Sequence, residues 1–227
     1  MTRAEFAKLI DHTAIKPDVS VSDVTRLCEE AVEYGFGVVC IAPSWVPLAV
    51  KTLAGSGVRV GSVAGFPHGN TLTVVKCVEA STVLEAGADE IDMVLPIGQL
   101  KSDEPEVVQM DVAFIADLVH RKPGAIVKVI LETPLLTDDE IRLACHLCEQ
   151  AGADFVKTAT GFAGGGATVE AVKLMRATVG DRLGVKAAGG IADYATARAM
   201  LDAGANRIGA SASVAIMASF PEDGGSS

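Results

Sequence analysis

The 227-residue chain reads as an α/β protein forming a single (β/α)8 TIM barrel with a short N-terminal helix, one domain spanning residues 1–220. Three observations predict this. Eight short β-branched runs alternate with amphipathic helical segments, the pattern of parallel βα units. The triplet Ala-Gly-Ala recurs at 86–88, 151–153 and 203–205, each time between a helical segment and the next run. Finally, 49% of the residues are apolar, which suits one sizeable core better than two small ones at this length.

The first run, residues 9–13, carries Asp11 and Thr13 at its end, where they either hydrogen-bond substrate hydroxyls or cap the following turn. A helix over 22–34 comes next, with Val24, Leu27, Cys28, Ala31 and Val32 on one stripe and Gly35 as its stop. The second run, 37–41, presents Cys40 at the same mouth, as a small core residue or a substrate neighbour. The third, 58–63, leads into a Gly-Phe-Pro-His-Gly-Asn loop in which His68 reads as solvated. The fourth, 90–95, contains Asp92, and the fifth, 126–132, contains Lys128. At 137–140, Thr-Asp-Asp-Glu is a capping box that opens a helix, with Ile141, Ala144, Cys145 and Cys148 following at helical spacing. Cys145 and Cys148 form a CxxC pair, but this spacing places both on the buried stripe, and no second ligand pair accompanies them. They are expected to pack rather than to bind metal or exchange electrons. The last three runs, 155–160, 184–188 and 207–211, carry Lys157, Lys186 and the turn to Ser211. A Val-Lys pair recurs at 127/128, 156/157 and 185/186, a spacing of 29 residues and about one βα unit. An early G-x-G-x-x-G turn, which an open doubly wound sheet would carry, is missing. Residues 221–227 are expected to be a disordered tail.

The formal charge of −10 and a pI near 4.8 argue against a nucleic-acid or anionic-membrane partner, since either needs a basic face. No run approaches 18 apolar residues, and the opening MTRAEFAKLIDHT lacks the parts of a signal peptide, so a cytoplasmic location is expected. Five cysteines, an odd count, read as reduced thiols.

Asp92, Lys128, Lys157 and Lys186 each sit in a strand with apolar neighbours. Strand side chains alternate faces, so if the neighbours pack outward against helices, these four point into the barrel. One carboxylate then faces three ammonium groups. A purely structural ion cluster is the plain alternative. Against it, burial and excess like charge both disfavour the ammonium form, which pushes at least one lysine towards a neutral amine, a nucleophile for carbonyls. The constellation points to imine chemistry without saying which lysine is the nucleophile. Glycine-rich turns after the last three strands suit an anion: Thr160-Gly161 with 164–166, then Gly189-Gly190, then Gly209-Ala210-Ser211. In such barrels phosphate commonly binds at these loops, and an acidic chain must attract an anionic substrate locally. His12, His120 and His146 lack metal-ligand spacing.

The motifs IDHTAIKP, VVCIAPSWVP, VAGFPHG, GADEIDMVLPIG, VKVILET, GADFVKTATGF with GGAT, GVKAAGGI and RIGAS span nearly the whole chain. Together they resemble the deoxyribose-phosphate aldolases. The resemblance implies metal-free, reversible cleavage of 2-deoxy-D-ribose 5-phosphate to acetaldehyde and D-glyceraldehyde 3-phosphate. It implies that Lys157 forms the Schiff base, Lys186 is its partner and Asp92 transfers protons, with Lys128, Asp11, Thr13, Cys40 and Thr160 in support. Phosphate would meet Gly161, Gly189, Gly190, Gly209 and Ser211. The sequence departs from the family pattern at Ala42, where asparagine is frequent, at Trp45, usually tyrosine, and at Ala212, usually serine. No tyrosine stands near the C-terminus. The implied partners are small phosphorylated sugars and aldehydes, with a homo-oligomer, a dimer, as the assembly. The rival readings are a Schiff-base aldolase or transaldolase for another sugar phosphate and a noncatalytic sugar-phosphate-binding barrel.

Overall fold

A computed structural model describes residues 1–221. At its start, Thr2 and Glu5 cap each other across the first turn of α1 (Arg3–Ala7), which buries Phe6 and Ala7. The strands β1 (Ile10–Ala14), β2 (Val38–Ile41), β3 (Arg59–Ala64), β4 (Glu90–Val94), β5 (Ile126–Ile130), β6 (Phe155–Lys157), β7 (Gly184–Ala188) and β8 (Arg207–Ala210) all pair in parallel with their sequence neighbours, and β8 closes on β1. Between them lie α2 (Val21–Tyr34), α3 (Val46–Thr52) and α4 (Thr73–Glu85), then α5 (Ile97–Lys101) and α6 (Pro105–His120) in one connection. They are followed by α7 (Asp138–Gln150), α8 (Val169–Val179), α9 (Tyr194–Asp202) and, after β8, α10 (Ser213–Ala218). The result is the predicted (β/α)8 barrel with its short N-terminal helix. Of the tail expected to be disordered, residues 222–227 lie outside the described residues.

Local signals place the helices. Ser20 and Asp23 form a capping box at α2, and Gly35 ends it in the left-handed region at φ 73°. Thr137 and Glu140 do the same for α7. The three Ala-Gly-Ala triplets follow α4, α7 and α9, with Gly87, Gly152 and Gly204 at φ 111°, 81° and 110°, a conformation that costs a glycine little. The apolar stripe of α2 buries Val24, Leu27, Cys28 and Ala31, while Val32, expected on it, is exposed. Ile141, Ala144, Cys145 and Cys148 face the core from α7, and burial pushes the Cys145 thiol up to about 12. His146, between the two cysteines, is exposed.

Alternation along the strands divides the residues into two sets. Ile91, Met93, Val127, Val129, Val156 and Val185 are fully buried in the main apolar cluster between sheet and helices, each large side chain contributing roughly 1.5–3 kcal/mol by its removal from water. The intervening residues face the barrel axis. Four strands end earlier than predicted, β4 and β8 by one residue each and β5 and β6 by more. β5 stops at Ile130 because Glu132 turns into the left-handed region at φ 60°. β6 stops at Lys157 because Thr160 N–H leaves the ladder for the Glu132 carboxylate. On the outer surface, Leu72, Val74, Val78, Val107, Met110 and Phe114 of α4, α6 and the turn before α4 are exposed. Among the described residues, no helix is long and apolar enough to cross a membrane.

Candidate active site

Sheet register sets Asp92 beside Lys128 across β4 and β5, and Lys157 beside Lys186 across β6 and β7. All four side chains turn inward. Asp92 Oδ1 accepts from Lys128 Nζ at 2.9 Å. Its Oδ2 accepts from both Lys157 Nζ and Lys186 Nζ at 2.7 Å. One carboxylate thus joins all three lysines.

The expected ratio of three lysines to one carboxylate needs correction, because Asp11 and Glu90 also point inward and are fully buried. Asp11 Oδ2 lies 2.5 Å from Lys186 Nζ and 3.8 Å from Lys128 Nζ, and Oδ1 is 3.2 Å from Arg207. Asp11 is therefore part of the ion cluster rather than a cap for the turn. Glu90 contacts Lys128 and also holds Arg207 at 2.8 Å and Arg59 at 2.9 Å. Sequence reading missed Glu90, Arg59 and Arg207. Parity was the available signal: Glu90 stands two residues before Asp92, and Arg207 two before the inward Gly209.

These partners decide how the charges settle. Burial of Lys186 works against its ammonium form, but Asp11 and then Asp92 outweigh it and hold its pKa above the ordinary lysine range. Lys128 is raised likewise, Asp92 overcoming burial. Lys157 goes the other way. Burial lowers it, and although Asp92 opposes this, the Lys186 charge adds to the depression. At Asp92, burial favours the acid form, yet Lys128, Lys157 and Lys186 together hold the carboxyl well below the usual range. The arrangement is a carboxylate, two ammonium groups and one lysine biased towards the amine, a division of labour suited to carbonyl chemistry.

Above this cluster, at the C-terminal ends of the strands, opens a cavity of about 930 Å³. Of the three lysines only Lys157 lines it. Thr13 and Thr160 are on its wall. The Thr13 hydroxyl donates to the Asp11 carbonyl at 2.8 Å, and the Thr160 hydroxyl donates to Glu132 at 2.5 Å. Glu132 is a further residue the sequence did not point to; buried at the end of β5, it also accepts from Thr160 N–H and so ties two loops together. Cys40 is buried near the lysines, its thiol pushed up first by burial and then by Asp92. Gly161, Gly189, Gly190, Gly209 and Ser211 all line the cavity, as does Ala212. Ala42 and Trp45 do not, so those departures stand away from the cavity wall. His12 pairs with Glu30 at 2.7 Å, both on the flank of the cavity, and His68 is exposed.

Two glycines have reasons of their own. A Cβ on Gly166 would fall 2.3 Å from the Gly189 carbonyl, and the N–H of Ala167 donates to that carbonyl at 3.0 Å, so the β6–α8 and β7–α9 loops meet backbone to backbone. Gly209 lines the cavity but also faces Lys186: an added Cβ would lie 2.9 Å from Lys186 Cε and 3.0 Å from Ala188 Cβ. Its missing side chain is the space through which Lys186 reaches Asp92. Among the described residues, no group of three His, Cys, Asp or Glu side chains is arranged to hold a metal ion.

Comparison with known proteins agrees with this architecture. The family model described as DeoC/LacD family aldolase matches residues 6–220. The deoxyribose-phosphate aldolase of Thermococcus kodakarensis is 51% identical over 98% of this chain and all of its own length. A crystal structure of a Coccidioides immitis protein superimposes with a TM-score of 0.92 at 41% identity, covering 96% of this chain and 86% of that one. The tetrameric deoxyribose phosphate aldolase of Aeropyrum pernix gives 0.90 at 38% identity, over 96% of this chain and 92% of that one.

Proposed function

The chain belongs to the DeoC/LacD aldolase family, and from that premise we infer how it carries out the reversible cleavage of 2-deoxy-D-ribose 5-phosphate to acetaldehyde and D-glyceraldehyde 3-phosphate. The observation that carries the assignment of roles is that Lys157 alone joins the cavity to the buried cluster, and is biased towards the amine form.

Lys157 attacks the C1 aldehyde and loses water to give an imine. Once protonated, the imine draws electrons from the C2–C3 bond as that bond breaks. The C3 hydroxyl gives up its proton through a water to Asp92 as glyceraldehyde 3-phosphate departs. The enamine left on Lys157 is reprotonated at C2, and hydrolysis releases acetaldehyde. Lys186 shares Asp92 Oδ2 with Lys157, which suits it to relay that proton while its charge adds to burial in biasing Lys157 towards the amine. Lys128 holds the other oxygen of Asp92. The phosphate is held at the glycine loops by Gly161, Gly189, Gly190, Gly209 and Ser211, and the chemistry needs neither metal nor organic cofactor.

Residues 1–220 act as one aldolase domain, and the working compartment is the cytoplasm. The assembly is a homodimer, in which the exposed apolar face of α4 and α6 around Val78, Met110 and Phe114 meets the same face of a second copy.

Borohydride reduction in the presence of acetaldehyde, followed by peptide mass mapping, tests the mechanism. A two-carbon adduct on Lys157 is expected, and Lys157→Ala abolishes it together with turnover while a sugar phosphate still binds in calorimetry. An adduct confined to Lys186 or Lys128 would reject the assignment. Turnover only of fructose- or sedoheptulose-type phosphates would select the rival aldolase reading, and binding without any adduct the noncatalytic one.

A further inference from the structure

The charged interior does not end at Asp92. It continues down the barrel axis towards the N-terminal ends of the strands, where barrels of this kind are ordinarily filled by layers of branched apolar side chains. Lys128 bridges Asp92 above and Glu90 below. Glu90 is gripped in turn by Arg207 and Arg59, the first residues of β8 and β3. A second branch runs from Arg207 through Asp11 to Lys186 and back to Asp92. Arg59 is about a third exposed, at 34%, whereas the Glu90 side chain is at 0%.

The charges in this shaft can be counted. Asp11, Glu90 and Asp92 supply three carboxylates, and Lys128, Lys186 and Arg207 supply three buried or nearly buried cations. With Arg59, which is a third exposed, left to solvent, the set is balanced without Lys157. Networks of this kind contribute little to stability, because desolvation offsets most of the attraction and apolar replacements often do as well. A layer of valine and isoleucine would fill the same space. What an apolar layer could not do is set a fixed charge beneath a reactive amine.

We propose that Glu90, anchored by Arg207 and Arg59 at the closed end of the barrel, is a positioning residue for the aldol reaction: it holds Lys128 against Asp92 and completes the charged network beneath Lys157. The proposal rests on Lys157 being the imine former. Glu90 does not line the cavity, and it acts through Lys128 and the field of the shaft. The groups facing Lys157 are Asp92 from β4, Lys186 from β7 and Cys40 from β2. Those facing Glu90 are Lys128 from β5, Arg59 from β3 and Arg207 from β8, while Asp11 from β1 faces Lys186, Lys128 and Arg207.

The direction of each perturbation follows from charge. Lys157 reacts as the amine, so its trapping is lost as pH falls through its pKa. Glu90→Gln removes a negative charge, leaves the cations in excess and disfavours a further ammonium, so the acid limb moves to lower pH. Arg207→Gln removes a positive charge and moves the limb to higher pH. Two residues along a strand rise about 7 Å, which puts Glu90 roughly 10 Å from the reacting nitrogen. At that range a unit charge in a protein interior shifts the limb by about one pH unit, or about tenfold in amine fraction at a fixed pH below it.

The experiment is the pH dependence of borohydride trapping with acetaldehyde in the intact chain, the adduct being mapped by mass, alongside steady-state cleavage kinetics. The two variants should move the limb in opposite directions. Glu90→Asp, which keeps the charge, should leave it at the wild-type position, and Glu90→Gln should lower kcat with little change in KM. If Glu90→Gln does not fold, Arg207→Gln alone must still move the limb upward. Limbs that coincide with wild type, or that move the same way in both variants, reject the positioning role even if kcat falls. A wild-type adduct elsewhere than Lys157 would instead reject the reading on which it rests.

Discussion

Replacing Gly209 with alanine separates two roles that one residue combines, since it lines the cavity among the glycine loops proposed to hold the phosphate and also clears the path of Lys186. The added methyl would stand 2.9 Å from Lys186 Cε and 3.0 Å from Ala188 Cβ, whereas carbon atoms rest at about 3.5–4.0 Å. Ala188 is held by its backbone, so the lysine must give way by roughly 1 Å. It has little freedom to do so, because its nitrogen is pinned at 2.5 Å to Asp11 and 2.7 Å to Asp92. Overpacking of this size costs about 1–3 kcal/mol, which lowers Tm by about 3–9 °C in a chain of this length. A displacement of about 1 Å in a reacting group costs up to ~100-fold in rate. In a coupled assay of glyceraldehyde 3-phosphate release, kcat should therefore fall about 10- to 100-fold while KM stays within a few fold. Gly98→Ala is the control: nothing lies within 4 Å of its added Cβ, and the change in α5 should be neutral or slightly stabilising. A Gly209→Ala protein with wild-type kcat and a raised KM would refute the clearance argument and leave only the phosphate role.

Ala212 precedes α10 at its N-cap, where it makes no side-chain cap, and it lines the cavity beside Ser211. Ala212→Ser should lower KM for the phosphorylated sugar several-fold without changing kinetics on unphosphorylated 2-deoxyribose, and should raise Tm through a new cap of about 0.5–1 kcal/mol; equal effects on both sugars would place the hydroxyl outside the phosphate site. Phe114→Glu puts a charge in the exposed α4/α6 face. Light scattering over a dilution series should show a dimer in the wild type and a shift to monomer in the variant by at least ~100-fold in concentration, since burying an unpaired charge at such a contact costs several kcal/mol. An unchanged mass in the variant would move the interface elsewhere.

Much of the molecule was legible in one dimension because its signals are local. The capping box at Thr137, the glycine stops after α2, α4, α7 and α9, and strand alternation depend on neighbours a few residues apart, and the structure follows them. The same alternation directed Asp92, Lys128, Lys157 and Lys186 inward. Strand ends were less legible. β6 stops where Thr160 finds the Glu132 carboxylate, a partner 28 residues away that no local pattern announces.

By itself, then, the sequence determined the barrel, the inward lysines, the glycine loops and, through its motifs, the family. Only the tertiary structure decided how the charges are shared. Asp11, Glu90 and Arg207 come from β1, β4 and β8, and closure of the barrel is what brings them around Lys128 and Lys186. That closure replaces an apparent excess of positive charge with a balanced set. It also leaves Lys157, among the three lysines, as the one that borders the cavity. The reason is physical: a strand's period is written in its own residues, whereas a buried group's proton affinity depends on every charge within a few ångströms, whichever strand supplies it.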